Sequence, residues 1–270
     1  MSVKTFLFLS LLASSLILPS AYAATQTNSQ KGLAAMQQNQ PAKAIAWFQK
    51  GVEAGESNSL FYLGRMYESG IGVNPDMMLA MELYRKAAKK KNARALNQLG
   101  VLHLGAPGVL QDYDKAKKYL RQAADLDNAE AQYNYGSLLL EGKVIEMDPK
   151  KGNAWLERSA KKSYVPAELR LAHNYQLGIG FKKDLAKTFY WYQQAASQGN
   201  AYAMFEEGIR YEAGTGVAKN PVQAHKYLNL ALARGYQKAL PELKSLTQSL
   251  SRKQLLKAQS EAKAWKPKAL

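Results

Sequence analysis

Ala93-Arg94-Ala95-Leu96-Asn97-Gln98-Leu99-Gly100 is answered 36 residues later by Ala129-Glu130-Ala131-Gln132-Tyr133-Asn134-Tyr135-Gly136. The register extends outward from this pair. Gly64, Gly100, Gly136, Ala172 and Gly208 share one position, Ser59, Ala95, Ala131, Ala167 and Ala203 a second, and Tyr67, His103, Leu139, Tyr175 and Tyr211 a third. A fixed period of this length marks a repeat architecture, in which each unit touches only its neighbours, and such chains usually bind rather than catalyse.

Within a unit the spacing is helical. Leu60, Leu63, Gly64 and Tyr67 fall on one face of a first helix, and the glycine lets a partner helix approach closely. Glycine turns follow at Gly70-Ile71-Gly72-Val73, Gly178-Ile179-Gly180-Phe181 and Gly214-Thr215-Gly216-Val217. An acid comes next, at Asp76, Asp112, Asp148 and Asp184, replaced by Asn220 in the fifth copy. Glycine supplies positive φ where the first helix ends, and the acid accepts from the free N–H groups that open the second. One hairpin has apolar surface on two sides and buries both only by stacking.

Five full units are read at 57–92, 93–128, 129–164, 165–200 and 201–236. A shorter unit over residues 31–56 precedes them, with a first helix from Gly32 to Asn39 and a second from Pro41 to Ala54. Residues 24–30 read as a polar segment. Residues 237–270 read as capping helices: Ala239, Leu240, Leu243 and Leu246 begin one, and Ser251 with Gln254 has the capping-box spacing that opens the last. Two turns depart from the pattern, Ala106-Pro107-Gly108 in the second copy and Val144 for the second glycine in the third.

These residues resemble the Sel1-like repeat (SLR) family, relatives of the tetratricopeptide repeats; the family's acid-Lys-Ala-aromatic pattern stands in Asp112-Tyr113-Asp114-Lys115-Ala116 through Tyr119. The resemblance covers roughly residues 41–259 and implies an all-α fold, a right-handed α-solenoid of stacked helical hairpins. It also implies a non-enzymatic protein that needs no cofactor and takes protein partners. Some cysteine-rich members are linked to penicillin binding and β-lactam hydrolysis; a chain with no cysteine stands apart from them.

In related helical repeats the first helices line a concave side. Carried over residue by residue, the candidate protein-binding positions are Phe61, Tyr62, Arg65, Arg94, Asn97, Tyr133, Asn134, Arg170, His173, Tyr202 and Phe205. Aromatic anchors and forked arginine donors are the residue types enriched in binding hot spots. The alternative for some of the aromatics is plain packing between neighbouring first helices.

Residues 1–23 read as a secretory signal: Lys4 opens it, Thr5 to Leu18 is almost wholly apolar, and Ala21-Tyr22-Ala23 is a small-x-small site with cleavage between Ala23 and Ala24. The run of about fourteen residues falls short of the ~20 that span a bilayer. A periplasmic or secreted protein is therefore expected, with no transmembrane segment once the signal is removed. Without that segment the chain keeps 36 basic and 21 acidic residues. Lys89, Lys90, Lys91, Lys161, Lys162, Lys182 and Lys183 cluster near helix ends and turns, where they are either solvated or a surface for an anionic envelope polymer or lipid such as peptidoglycan or lipopolysaccharide. Secretion and the lack of a nucleic-acid motif set nucleic acid aside. His103, His173 and His225 are not at metal-ligand spacing, and His103 sits at a core position.

Overall fold

Every turn acid caps a helix. In the computed structural model, which describes residues 26–268, the side chains of Asp76, Asp112, Asp148, Asp184 and Asn220 accept from the backbone N–H three residues on, at 2.9, 2.9, 3.0, 2.9 and 3.1 Å. Each of these residues also donates its own N–H back into the first helix of its hairpin, as Asp76 does to Tyr67 at 2.9 Å and Asn220 to Tyr211 at 2.8 Å. The two bonds fix where one helix stops and the next begins. Asn220→Ala, which removes only the cap acceptor, should cost about 1 kcal/mol, read as a lower urea midpoint, whereas Asn220→Asp should keep the cap and the midpoint.

The described residues hold fourteen helices and no strand. They are α1 (Asn28–Gln37), α2 (Pro41–Glu53), α3 (Ser57–Ser69), α4 (Met77–Lys89), α5 (Ala93–His103), α6 (Tyr113–Asp125), α7 (Ala129–Glu141), α8 (Pro149–Ala160), α9 (Val165–Leu177), α10 (Leu185–Ser197), α11 (Ala201–Ala213), α12 (Pro221–Ala233), α13 (Ala239–Ser249) and α14 (Arg252–Ala264). Together they form an all-α repeat fold of helical hairpins. None of these helices is long and apolar enough to cross a membrane. The chain divides into two compact units, one of residues 26–99 with 107–109, the other of residues 100–106 with 110–268.

Gly70, Gly142, Gly178 and Gly214 end first helices in the left-handed region, at φ 67°, 67°, 81° and 72°. The departing turns differ as their residues require. Val144 does not take the positive φ that Gly72, Gly180 and Gly216 adopt. The Ala106-Pro107-Gly108 turn follows a first helix two residues shorter than its counterparts, 11 against 13, yet Asp112 still reaches the His103 carbonyl at 2.9 Å.

Packing repeats with the sequence. Phe48, Tyr84, Leu120, Leu156, Tyr192 and Leu228 occupy one register position on second helices, and each is almost wholly buried. They meet the small residues of the first helices. A Cβ added at Gly64 would lie 2.7 Å from the Tyr84 ring, and one at Gly208 would lie 2.9 Å from Leu228. His103 is a packed histidine, 6% exposed and stacked on Tyr119 with ring centroids 6.0 Å apart.

The first helix begins earlier than the sequence reading places it. It runs over Asn28–Gln37 rather than Gly32–Asn39, so part of the polar segment read at residues 24–30 is helical. Thr27 and Gln30 form a capping box, and Glu56 accepts from the N–H groups of Asn28 and Ser29 at 3.0 and 2.9 Å. The Ala23–Ala24 cleavage site lies outside the described residues. At the other end, α14 opens on the Ser251–Gln254 capping box and buries Ala258. Trp265 packs on the core with the Arg234 guanidinium 4.4 Å over its ring.

Candidate functional site

Three successive first helices in the second unit, α7, α9 and α11, leave a cleft of about 440 Å³ between them. Its lining is Tyr133 from α7, Val165, Pro166, Leu169, Arg170 and His173 from α9, Tyr192 from α10, and Asn200 and Tyr202 at the start of α11. It is a shallow, open cleft whose lining mixes polar and apolar groups, unlike the enclosed, mostly apolar pockets that take small ligands.

Each wall residue is held by the repeat. Tyr192 occupies the buried second-helix position, 2% exposed, with its hydroxyl 3.5 Å from that of Tyr202. The Arg210 guanidinium lies 4.4 Å over the Tyr192 ring, paired with Glu206 and donating to Gln176 at 3.1 Å. Burial, and after it the Tyr192 hydroxyl and the Glu206 carboxylate, push the Tyr202 phenol above its ordinary range. Asn200 is the cap of α11, its side chain accepting from Ala203 at 2.8 Å. Tyr133 leans on Tyr164, ring centroids 5.6 Å apart.

Arg170 stands apart. Its Nε is shielded from solvent and has no hydrogen-bond acceptor within the protein. Glu168, two residues away on α9, is not paired with it: that carboxylate is 2% exposed, pushed up to about 7 by burial, and accepts from Gln198 at 2.9 and 2.8 Å. No carboxylate lines the cleft.

Tyr133, Arg170, His173 and Tyr202, four of the positions named from sequence, thus converge on one cleft. Phe205 instead packs toward Tyr236, ring centroids 5.0 Å apart, and Asn134 is half-buried. In the first unit the same register positions are spent on packing and pairing. Phe61 is 8% exposed between Tyr62 and Tyr84, and Asn97 is 2% exposed, so neither offers a contact surface. Arg94 covers Tyr62 and hydrogen-bonds its hydroxyl, and Arg65 approaches Glu68 at 3.9 Å. The lysines of the three clusters are exposed, Lys162 is paired with Asp127, and none lines the cleft. Sequence reasoning did not place Tyr192 and Asn200 at the site, because their register marks one as core and the other as a cap. Both roles are real, and the cleft borrows from each.

A family model described as Sel1 repeat matches residues 28–56, 57–92, 93–128, 129–164, 165–200 and 201–236. The solved structure of a protective antigen present in uropathogenic Escherichia coli strains, displaying an SLR fold, is similar at 26% identity and TM-score 0.74 over 92% of this chain. This chain spans 54% of that antigen, about half its length. A Sel1 repeat protein from Oxalobacter formigenes is similar at 27% identity and TM-score 0.73, covering 87% of this chain and 96% of that one. No curated protein sequence gives a significant match. Six contiguous repeats, matched in the register that the glycines and cap residues set, make this chain a member of the Sel1 repeat family, whose modules are in general non-catalytic platforms for protein–protein interaction.

Proposed function

We propose that this chain is a non-enzymatic adaptor that binds another protein in the cleft between α7, α9 and α11. It would act in the periplasm or outside the cell, in envelope signalling, cell-wall maintenance, assembly of a complex or contact with a host. The observation that carries the binding role is the cleft itself: aromatic, apolar and cationic side chains from three repeats share one opening, with His173 at its exposed surface. The N-terminal apolar segment with its small-x-small site supports the location.

A photo-crosslinking residue placed at His173, in cells that produce the protein, tests the reading. It should join one or two defined proteins, and the same residue at exposed Lys150 on α8 should not. Adding Tyr202→Ala to the His173 crosslinker should cut the yield at least tenfold while circular dichroism still shows a folded helical protein; the ring also packs on Tyr192 and Tyr236, so some loss of melting temperature is expected. Equal adducts from both positions, or none from His173, defeat the proposal. Phe61→Ala is no substitute as a test, since that ring belongs to the core.

A further inference from the structure

Arginine presents five N–H donors and does not shed its charge, so a shielded donor without an acceptor is costly to keep in a folded protein. Three other arginines have partners. Arg210 has Glu206 and Gln176, Arg121 donates to Asp125 at 2.9 Å, and Arg94 has the ring and hydroxyl of Tyr62. Arg170 lines a cleft without a carboxylate and forms no ion pair with another described residue; its Nε, closed to solvent, has no acceptor, and the nearby Glu168 is held by Gln198. The guanidinium therefore has no anionic partner among the described residues, and the walls around it mix apolar and polar groups: Tyr133, Val165, Leu169 and Tyr202 beside His173 and Asn200.

We propose that the cleft takes an extended acidic segment of a partner protein, with one Asp or Glu carboxylate pairing with Arg170 and a neighbouring apolar side chain lying against Tyr133, Leu169 and Tyr202. This rests on the adaptor reading and gives its partner a chemistry. A planar carboxylate matches the guanidinium fork, and such charge-assisted pairs are stronger than neutral ones when aromatic faces keep water away. Exposed His173 adds a further polar contact at the mouth. An anionic polysaccharide or lipid would instead be read by the lysine clusters, none of which reaches this cleft.

The test uses the full chain and an array of ten-residue peptides blocked at both ends. Each carries Glu or Gln at one position, flanked by Ala, Leu or Phe, and binding is followed by fluorescence anisotropy. Glu peptides with Leu or Phe neighbours should bind, and their Gln counterparts should bind at least tenfold more weakly. Arg170→Gln should weaken the Glu peptides at least tenfold and leave the Gln peptides unchanged. Arg170→Lys keeps the charge and loses the fork; it should retain part of the affinity, and it serves where Arg170→Gln does not fold. Equal binding of Glu and Gln peptides, or an equal loss of both on substitution, overturns the inference. A partner crosslinked at His173 with no acidic peptide bound also overturns it and leaves the adaptor standing, whereas no crosslink at His173 removes the adaptor reading itself.

Discussion

Gly136→Leu should lower the unfolding free energy by about 3 kcal/mol or more, at or beyond the upper end of what overpacking a core costs. Gly136 on α7 and Gly152 on α8 face each other so closely that a Cβ on either would lie 2.8 Å from the carbonyl oxygen of the other. At Gly64 and Gly100 the nearest obstacle is a side chain, Tyr84 or Leu120, and a side chain can turn. At Gly136 it is backbone, so the two helices must separate and expose Leu156, which is fully buried at the same crossing. Gly136→Ala divides the effect. Alanine is better than glycine in a helix by about 1 kcal/mol, so the net loss should be near 1 kcal/mol, well below that of leucine. Urea unfolding of the three proteins, followed by circular dichroism, gives both differences. Leucine tolerated within 1 kcal/mol would mean that the hairpin can open at little cost.

That crossing shows what the sequence discloses. The small residue in each first helix and the large one in each second helix are legible from the period alone, because the same contact recurs and only residues that fit it can fill it. The caps are legible for the same reason, since glycine and Asp or Asn have local jobs that depend on nearby backbone. Exposure is not. Phe61, Asn97, Tyr133, Leu169 and Phe205 share one register position, yet Phe61 and Asn97 are buried and the other three are half-buried. Their surroundings differ between copies: Phe61 has the Tyr62 and Tyr84 rings beside it, whereas Tyr133 borders an opening. The pairing of an arginine is equally a matter of three dimensions. Arg65, Arg94 and Arg170 look alike as candidates, and only their neighbours distinguish the two that are engaged from the one whose Nε lacks an acceptor. The start of α1 was missed for a different reason. Asn28–Gln37 carries few large apolar residues, and its Thr27–Gln30 capping box is the local signal that could have found it.

Stability should fall as pH rises from about 5 to 8, and Glu207→Gln should remove a large share of that slope. Glu207 on α11 is fully buried, neither of its carboxyl oxygens has a hydrogen-bond partner, and burial pushes the carboxyl up to about 7. Glu168 is pushed up to about 7 by burial as well. An unfolded chain releases these protons near the ordinary value of 4.5, while the folded protein holds them until about 7. Between those values the folded state binds more protons, so raising the pH favours unfolding, by at most about 1.4 kcal/mol per unit for each group. Over the window this amounts to roughly 2–3 kcal/mol for Glu207 alone. His225 opposes the trend, because burial lowers its pKa and neutralising it as pH rises favours the fold. Its contribution is common to both proteins and cancels in their difference. Asp112, Asp127 and Asp148 are held below the ordinary carboxylate value by hydrogen bonds from their partners, so their contribution is lost only at more acid pH. A glutamine keeps the shape and the donor of the protonated acid without its charge. Glu207→Gln should therefore be nearly neutral at pH 5 and stabilising by about 2 kcal/mol at pH 8, as urea unfolding at the two pH values would show. A wild-type protein equally stable at both, or a variant weaker at both, would mean that Glu207 is ionised in the folded protein and satisfied by its neighbours.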